Sequence, residues 1–383
     1  MRKSHILRRI EIILLLFLIY FPDVLSQAAK GSLFTDIIID TKVHYGTILP
    51  HRKFMRHLVT GHSTFAMISL SKQLYGNKSW EQIYNYPAKG FAFHYINLGN
   101  PEQLGNAYGI FPYISFPCIR SKNYTFSYRW GAGVGFIEKP FDKEDNYKNN
   151  AVSTKINFLM SVMLESRWKI NNHLSLTADF GFTHMSSGDI KLPNLGINVA
   201  DLGLGVSYNI AQKGFDRKDK GKEFVFRKDT LSQPDKGLVY TFMAVFGVKK
   251  TIPVDVRNYL TYAIYSNFTK SVGKRRRLGL GIDIFYDDSN IALYNSDTNN
   301  TFSDKEIEFI KPGIHFSHVL VIGKLMAVTE IGVYIHDKYK GDGPIYHRIA
   351  LRHYIYKNLL FNFSVKSHWA NADYFEWGLG YRF

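Results

Sequence analysis

Between Leu174 and Tyr208 the chain places a histidine, a serine and an asparagine at spacings that suit acyl transfer. An ester hydrolase needs a hydroxyl nucleophile, a base within reach of its proton and a group that orients the base. Read with a period of two, Leu174, Leu176, Ala178, Phe180, Phe182, His184 and Ser186 share one strand face, and Ser175, Thr177, Asp179, Gly181, Thr183 and Met185 share the other. The reactive pair therefore sits on the apolar side. Positions i and i+2 of a strand lie roughly 6.5–7 Å apart and project the same way, so His184 and Ser186 can meet through their side chains. The loop 187–197 then returns the chain antiparallel and brings Asn198, on the same apolar parity, to the other imidazole nitrogen. Asn194 and backbone amides near Gly188 are available as oxyanion donors. A nucleophile and base on an oily wall point to chemistry on a lipid.

The elements that must carry this constellation are strands. Alternation recurs in Tyr124–Phe136, where Tyr124, Phe126, Tyr128, Trp130, Val134 and Phe136 face one way and Thr125, Ser127, Arg129, Gly131, Gly133 and Gly135 the other, and again in 238–248 and 278–286. Wide aromatic faces on nearly every strand would overfill a two-sheet sandwich, whereas a membrane barrel presents them to lipid. The chain ends on an alternating strand, Phe375 to Phe383, with an aromatic last residue. An aromatic content of 15% with 30 Gly and only 12 Pro agrees with this fold class: all-β, a transmembrane outer-membrane antiparallel β-barrel.

Counting back from the last strand gives segments near 360–370, 344–357, 324–338, 307–321, 276–288, 258–272 and 238–252, then 200–211, 173–187, 156–170, 123–139, 106–119, 89–98, 61–73 and 36–47. This predicts about 14–16 strands in one barrel. The alternative is an eight-stranded barrel followed by a second strand set, with the charged stretch between them as a linker. The strand bearing His184 runs outward and delivers His184 and Ser186 to its extracellular end.

Arg2, Lys3, Arg8 and Arg9 before the apolar run Ile12–Phe21, with Val24 and Ser26 near a cleavage point, predict a signal peptide over 1–26. The remaining segments are a barrel region over 27–211, a charged loop or linker over 212–237, and C-terminal strands over 238–383 that complete or extend the barrel. The single Cys118 excludes an intrachain disulfide. The net charge of +16 and runs such as Lys274 to Arg277 suit solvated turns or contact with phosphate-bearing lipid, and export argues against a nucleic-acid partner.

At His184-Met185-Ser186-Ser187, Pro193-Asn194-Leu195-Gly196 and Asn198 the sequence resembles the outer-membrane lipid A 3-O-deacylases, or acyloxyacyl hydrolases. The family pattern is His-x-Ser-Asn, a short loop, Pro-Asn-x-Gly, and a Glu two residues later. The resemblance is specific over roughly 36–211, and residues 238–383 extend beyond the short members, as in long, Bacteroidetes-type ones. It implies Ser186 as nucleophile, His184 as base and Asn194 at an oxyanion-stabilising position. It also implies the bacterial outer membrane as location and lipid A or lipopolysaccharide of the outer leaflet as partner. Ser187 departs from the usual Asn, and Asn198 stands where the simpler members carry the triad Glu. An Asn carbonyl can hold the imidazole tautomer but supplies no negative charge to stabilise imidazolium.

The leading reading is thus a serine esterase that needs no metal or organic cofactor and meets its lipid by lateral diffusion along an open wall. The alternative is a non-enzymatic porin-like or structural barrel, favoured by the missing Glu. A third, adhesion through loops near 140–155 and 289–306, has no motif behind it. The histidines His44, His51, His57 and His62 lack a zinc spacing and read as plug or interfacial groups. His368 with Lys366 and Ser364 reads as lumen filling. Asp283, Asp287 and Asp288 read as partners for inner cations, and Asp201, of opposite parity to Asn198, should point inward.

Overall fold

A computed structural model describes residues 37–210, 237–251, 257–369 and 371–383. The expected signal peptide and nearly all of the charged linker lie outside them. Sixteen strands are present, and their hydrogen bonding closes them into two separate eight-stranded antiparallel barrels. The first comprises β1 (Ile37–Ile48), β2 (Ser63–Gln73), β3 (Ala88–Asn97), β4 (Asn106–Arg120), β5 (Tyr124–Ile137), β6 (Ile156–Lys169), β7 (Leu174–Ser186) and β8 (Ile197–Ile210). The second comprises β9 (Leu238–Lys249), β10 (Tyr259–Val272), β11 (Arg276–Asp287), β12 (Lys311–Ile322), β13 (Leu325–Tyr334), β14 (Ile345–Tyr356), β15 (Leu359–His368) and β16 (Asn371–Arg382). The expected strand number holds, but closure follows the alternative of two strand sets rather than one wide barrel. Two details also differ: β16 starts at Asn371, where a turn was expected, and β12 is preceded by a 3-10 turn over Glu306–Phe309.

Closure at eight follows from what fills the interior. An eight-stranded lumen is only wide enough for side chains. In the first barrel Lys42 reaches Glu165 at 2.5 Å and Asp179 at 2.7 Å, Arg129 and Arg167 bind Asp40 and Glu165, and Asp201 accepts from His44 Nδ1 at 2.8 Å. In the second, Arg348 is fully enclosed by Asp283 at 3.0 Å, Glu330 at 2.7 Å and Glu376 at 2.7 Å, and Arg352 adds a 2.7 Å contact to Glu330. Each of these buried charges therefore has a partner, as a low-dielectric interior requires. The opposite parity is apolar and exposed, with Leu202 at 68% and Leu280 at 67%. Strands of ten to fifteen residues reach or exceed the roughly nine to eleven residues with which a tilted barrel strand crosses the apolar band of about 25 Å. No helix among the described residues is long and apolar enough to cross. These are outer-membrane barrels.

Short turns at 121–123, 170–173, 273–275, 323–324 and 357–358 lie at one end, with the chain's entry into β1 and exit from β16. Apart from the β2–β3 connection over 74–87, which shares that end, the longer loops lie at the other, so β7 runs outward and ends at the extracellular rim. The barrels touch at both ends. At the inner end Tyr84 Oη donates to the Val321 carbonyl at 2.9 Å and Arg275 donates to the Ile83 carbonyl. The run Lys274 to Arg277 is thus partly an inter-barrel fastener. At the outer rim the Lys250 amide donates to the Asp189 carbonyl at 2.9 Å, and Phe158 packs on Phe363 and Phe375 with ring centroids 5.5 Å away.

Removing one member of such a buried charge cluster leaves the others unpaired. Arg348→Met is expected to destabilise the protein by about 3–5 kcal/mol, read as a lower urea midpoint for loss of the heat-modifiable folded band. A midpoint equal to wild type would show that Glu330, Asp283 and Glu376 do not depend on this cation.

Candidate active site

His184 and Ser186 stand on the outward parity of β7, alternating with lumen-facing Thr183 and Met185, which are buried. In register, His184 lies opposite Asn198 of β8 on one side and Met160 of β6 on the other, and Ser186 lies opposite Phe158. The sequence spacing thus becomes a contact. His184 Nε2 is 3.2 Å from Ser186 Oγ, and His184 Nδ1 is 2.6 Å from Asn198 Oδ1. The Asn198 carbonyl accepts the Nδ1 proton, which leaves the Nε2 lone pair to accept from the serine hydroxyl.

A residue taken for a plug or interfacial group joins this chain. Asn198 Nδ2 donates to His51 Nδ1 at 3.1 Å. Barrel closure is what brings it there, because β1 pairs with β8 in the register Ile48↔Val199 and the Leu49 amide donates to the Asn198 carbonyl at 2.8 Å. An eight-strand closure assumed from sequence would have placed His51 beside Asn198. Burial, aided by the neighbouring Arg52, holds the His51 pKa below the ordinary histidine value, so the ring stays neutral and Nδ1 remains an acceptor. The other three histidines of that group disperse: His44 enters the lumen, His57 binds the Lys148 carbonyl at 2.7 Å, and His62 stacks on Tyr45.

The loop after Ser186 is held from several directions. Asn194 Oδ1 accepts from the Ser187 amide at 3.0 Å, and one amide proton of Asn194 goes to Asp189 at 3.3 Å. The Gly196 amide donates to the Ala151 carbonyl at 2.8 Å, and Ser153 Oγ to the Pro193 carbonyl at 2.6 Å. Gly196 has φ +80°, and a Cβ there would lie 2.7 Å from His184 Cε1, so any other residue would both strain the backbone and push the imidazole. Gly188 has φ +58° and a Cβ there would meet the Phe375 ring at 2.4 Å, which is how closely the second barrel approaches. Burial pushes the Asp189 pKa up to about 7, with Asp373 adding to the rise and the Asn194 hydrogen bond opposing it. Ser187, where the family pattern has Asn, is 4% exposed, and its hydroxyl has no hydrogen-bond partner among the described residues.

Chemically, the arrangement can activate a hydroxyl and protonate a leaving group from one side of the barrel wall. His44, Asp179 and Asp201 bring ligand atoms within 4.8 Å of one another, as do Asp342, His368 and Asp373. Both groups are tied into the ion-pair networks of the lumens and the loops above them, away from the outward face that carries Ser186. His368 bonds Tyr334 Oη at 2.9 Å, and Asp287 binds Lys249 and Ser289, so these residues fill and brace the second barrel.

Two family models match the chain: lipid A 3-O-deacylase over residues 65–209, and the acyloxyacyl hydrolase C-terminal domain over residues 238–383. The chain belongs to this family. Together the models span most of both barrels. Solved structures similar to the chain include the outer membrane enzyme PagL, at 13% identity and TM-score 0.31, covering 43% of this chain and 97% of that one. Neisserial surface protein A matches at 8% identity and TM-score 0.34, covering 45% of this chain and 97% of that one. No curated protein matches the chain. Membership places the chain among outer-membrane lipid A hydrolases at the level of the family.

The hydrogen-bond chain generates two expectations. Asn198→Ala should slow labelling of Ser186 by a fluorophosphonate by about 10²-fold, the usual worth of a positioned base, while Asn198→Asp should label at least as fast as wild type. The acid limb of the labelling profile should also be steeper in wild type than in His51→Phe. Protonating His51, which happens only below the ordinary histidine range, converts Nδ1 to a donor that opposes Asn198 Nδ2 and misorients the carbonyl on His184. Identical acid limbs in the two proteins would remove His51 from the relay.

Proposed function

We propose that the protein is an outer-membrane serine esterase that removes an ester-linked acyl chain from lipid A or a related glycolipid. The observation that carries this reading is the Ser186–His184–Asn198 chain of 3.2 Å and 2.6 Å contacts on the membrane-facing wall at the outer rim. Ser186 Oγ attacks the ester carbonyl carbon while His184 Nε2 takes its proton. The tetrahedral oxyanion meets the free amide proton of Asn194 and the Ser187 hydroxyl. Imidazolium then returns the proton to the departing sugar alkoxide, leaving an acyl-serine. A water molecule, deprotonated by the same Nε2, attacks that ester, the bond from the acyl carbon to Ser186 Oγ breaks, and His184 returns the proton to Oγ as the fatty acid leaves. No step in this scheme calls for a metal or an organic cofactor.

Asn198 sets the tautomer without contributing charge, so the imidazolium formed in each half-reaction is less stabilised than beside a carboxylate. The porin-like alternative has less support, because both eight-stranded lumens are plugged by paired charges such as Lys42 and Arg348.

In cells carrying the wild-type protein, mass spectrometry of lipid A should show a species lighter by one acyl chain, and cells carrying Ser186→Ala should lack it. Identical acylation with both proteins folded in the outer membrane rejects the esterase and leaves a non-enzymatic barrel.

A further inference from the structure

Between the two barrels, from the outer rim to the inner end, runs a groove of about 2770 Å³. That volume exceeds the roughly 300–1,000 Å³ of small-molecule pockets. Ser186 and His184 open into it. The expectation of an open wall therefore needs correction, since the face that carries the dyad is one side of a cleft whose other side is the second barrel.

The first wall descends from the dyad in registered rows. Ser186 is followed across the sheet by Phe158 and Val134, and His184 by Met160 and Ala132. The opposite wall is built from rows of the second barrel, Ala327 with Leu351 and Phe363, and Thr329 with Ile349 and Val365. Most polar lining residues gather at the ends, Ser187 and Lys191 at the outer one and His353 and Lys324 at the inner. The middle rows are apolar apart from Thr329 and His318, which face each other across β12 and β13.

We infer that this groove holds acyl chains of the ester substrate, so that the second barrel is a specificity-determining part of the site. The inference rests on Ser186 being the nucleophile. Continuity selects the occupant: a chain whose carbonyl carbon reaches Ser186 Oγ has its tail beside Met160 and Ala132, and the direction of β7 points that tail toward the membrane midplane. Contacts between the barrels at both ends keep the walls apart without closing the space, and the ring cluster of Phe158, Phe363 and Phe375 sits next to the reacting atom. A second wall converts a two-dimensional encounter with fluid lipid into a bound pose with a fixed tail direction.

The test uses the full chain and two probes, p-nitrophenyl butyrate and p-nitrophenyl myristate. Ala132→Trp and Ala327→Trp fill the groove from opposite walls, while Ala66→Trp and Ala244→Trp add the same ring to exposed outward positions. The groove variants should lower the myristate-to-butyrate ratio of kcat/KM by about tenfold, the loss of roughly two buried methylenes, and the control variants should leave it unchanged. An unchanged ratio in both groove variants, with the folded band intact, overturns the inference. If wild type shows no Ser186-dependent hydrolysis of either ester, the esterase reading fails, and the groove is judged by binding. In vesicles of dimyristoyl phosphatidylglycerol, Ser186→Ala should hold more motionally restricted spin-labelled lipid than the Ser186→Ala, Ala327→Trp double variant. Equal restricted fractions in the two proteins overturn the groove as well.

Discussion

Closure of eight strands around a lumen too narrow for bulk water is the constraint on which the rest depends. It forces inward side chains to satisfy one another, which they do through Lys42, Arg129 and Arg167 against Asp40, Glu165 and Asp179 in one barrel and through Arg348 and Arg352 against Asp283, Glu330 and Glu376 in the other. Breaking such a set costs far more than building it gains, so the clusters act as plugs that fix register. A fixed register in turn fixes which residues look outward. His184, Ser186 and Asn198 meet because β7 and β8 cannot slip by one residue without sending all three into the lumen, where Thr183, Met185 and Val199 now lie.

Much of this was legible in the sequence because a strand wall has a period of two and membrane turns are polar. Fifteen internal segments and the closing strand match the observed strands to within a few residues, apart from the starts of β8 and β12 and the turn before β16. The dyad and its orienting Asn198 follow from parity and from the return of one hairpin, so three of the four site residues could be joined from local pattern. The oxyanion role expected of Asn194 belongs to the proposed reaction, whereas the fold shows its carbonyl and one amide proton bracing the loop. What could not be read was everything that depends on which strand closes on which. His51 lies 147 positions from Asn198 and meets it only through the β1–β8 seam. Division into two barrels rather than one wide one, and hence the cleft at the dyad, is likewise a property of hydrogen-bond closure that alternation cannot express.

The neutral residue at position 198 fits its surroundings. Ser186, His184, Asn198 and His51 form a chain at the rim of an apolar groove, where an unpaired carboxylate would carry a desolvation cost of several kcal/mol. Asp189, a carboxyl of the loop after Ser186, is pushed toward neutrality by burial there, with a pKa of about 7. His51 supplies what a charge would otherwise have supplied in part: by accepting from Asn198 Nδ2 it fixes the amide so that its carbonyl oxygen, not its nitrogen, faces His184. In the proposed reaction, orientation is retained while imidazolium stabilisation is given up, which shifts the burden of rate acceleration toward substrate positioning.

Positioning is what two rigid walls can provide. A single barrel offers a lipid ester one convex face and leaves the tail among bulk lipid, so the carbonyl samples many orientations relative to Ser186. Contacts at both rims, Asp189 with Lys250 outside and Tyr84 with Val321 inside, hold the second barrel at a set distance from β5 and β6. Because Phe375 packs against Gly188 and Phe158 beside Ser186, a shift of the second barrel moves the loop after Ser186 as well as the far wall of the cleft. In the proposed reaction, chain selection and carbonyl placement are thereby coupled through one aromatic contact, and the second barrel acts on the chemistry without contributing a reacting group.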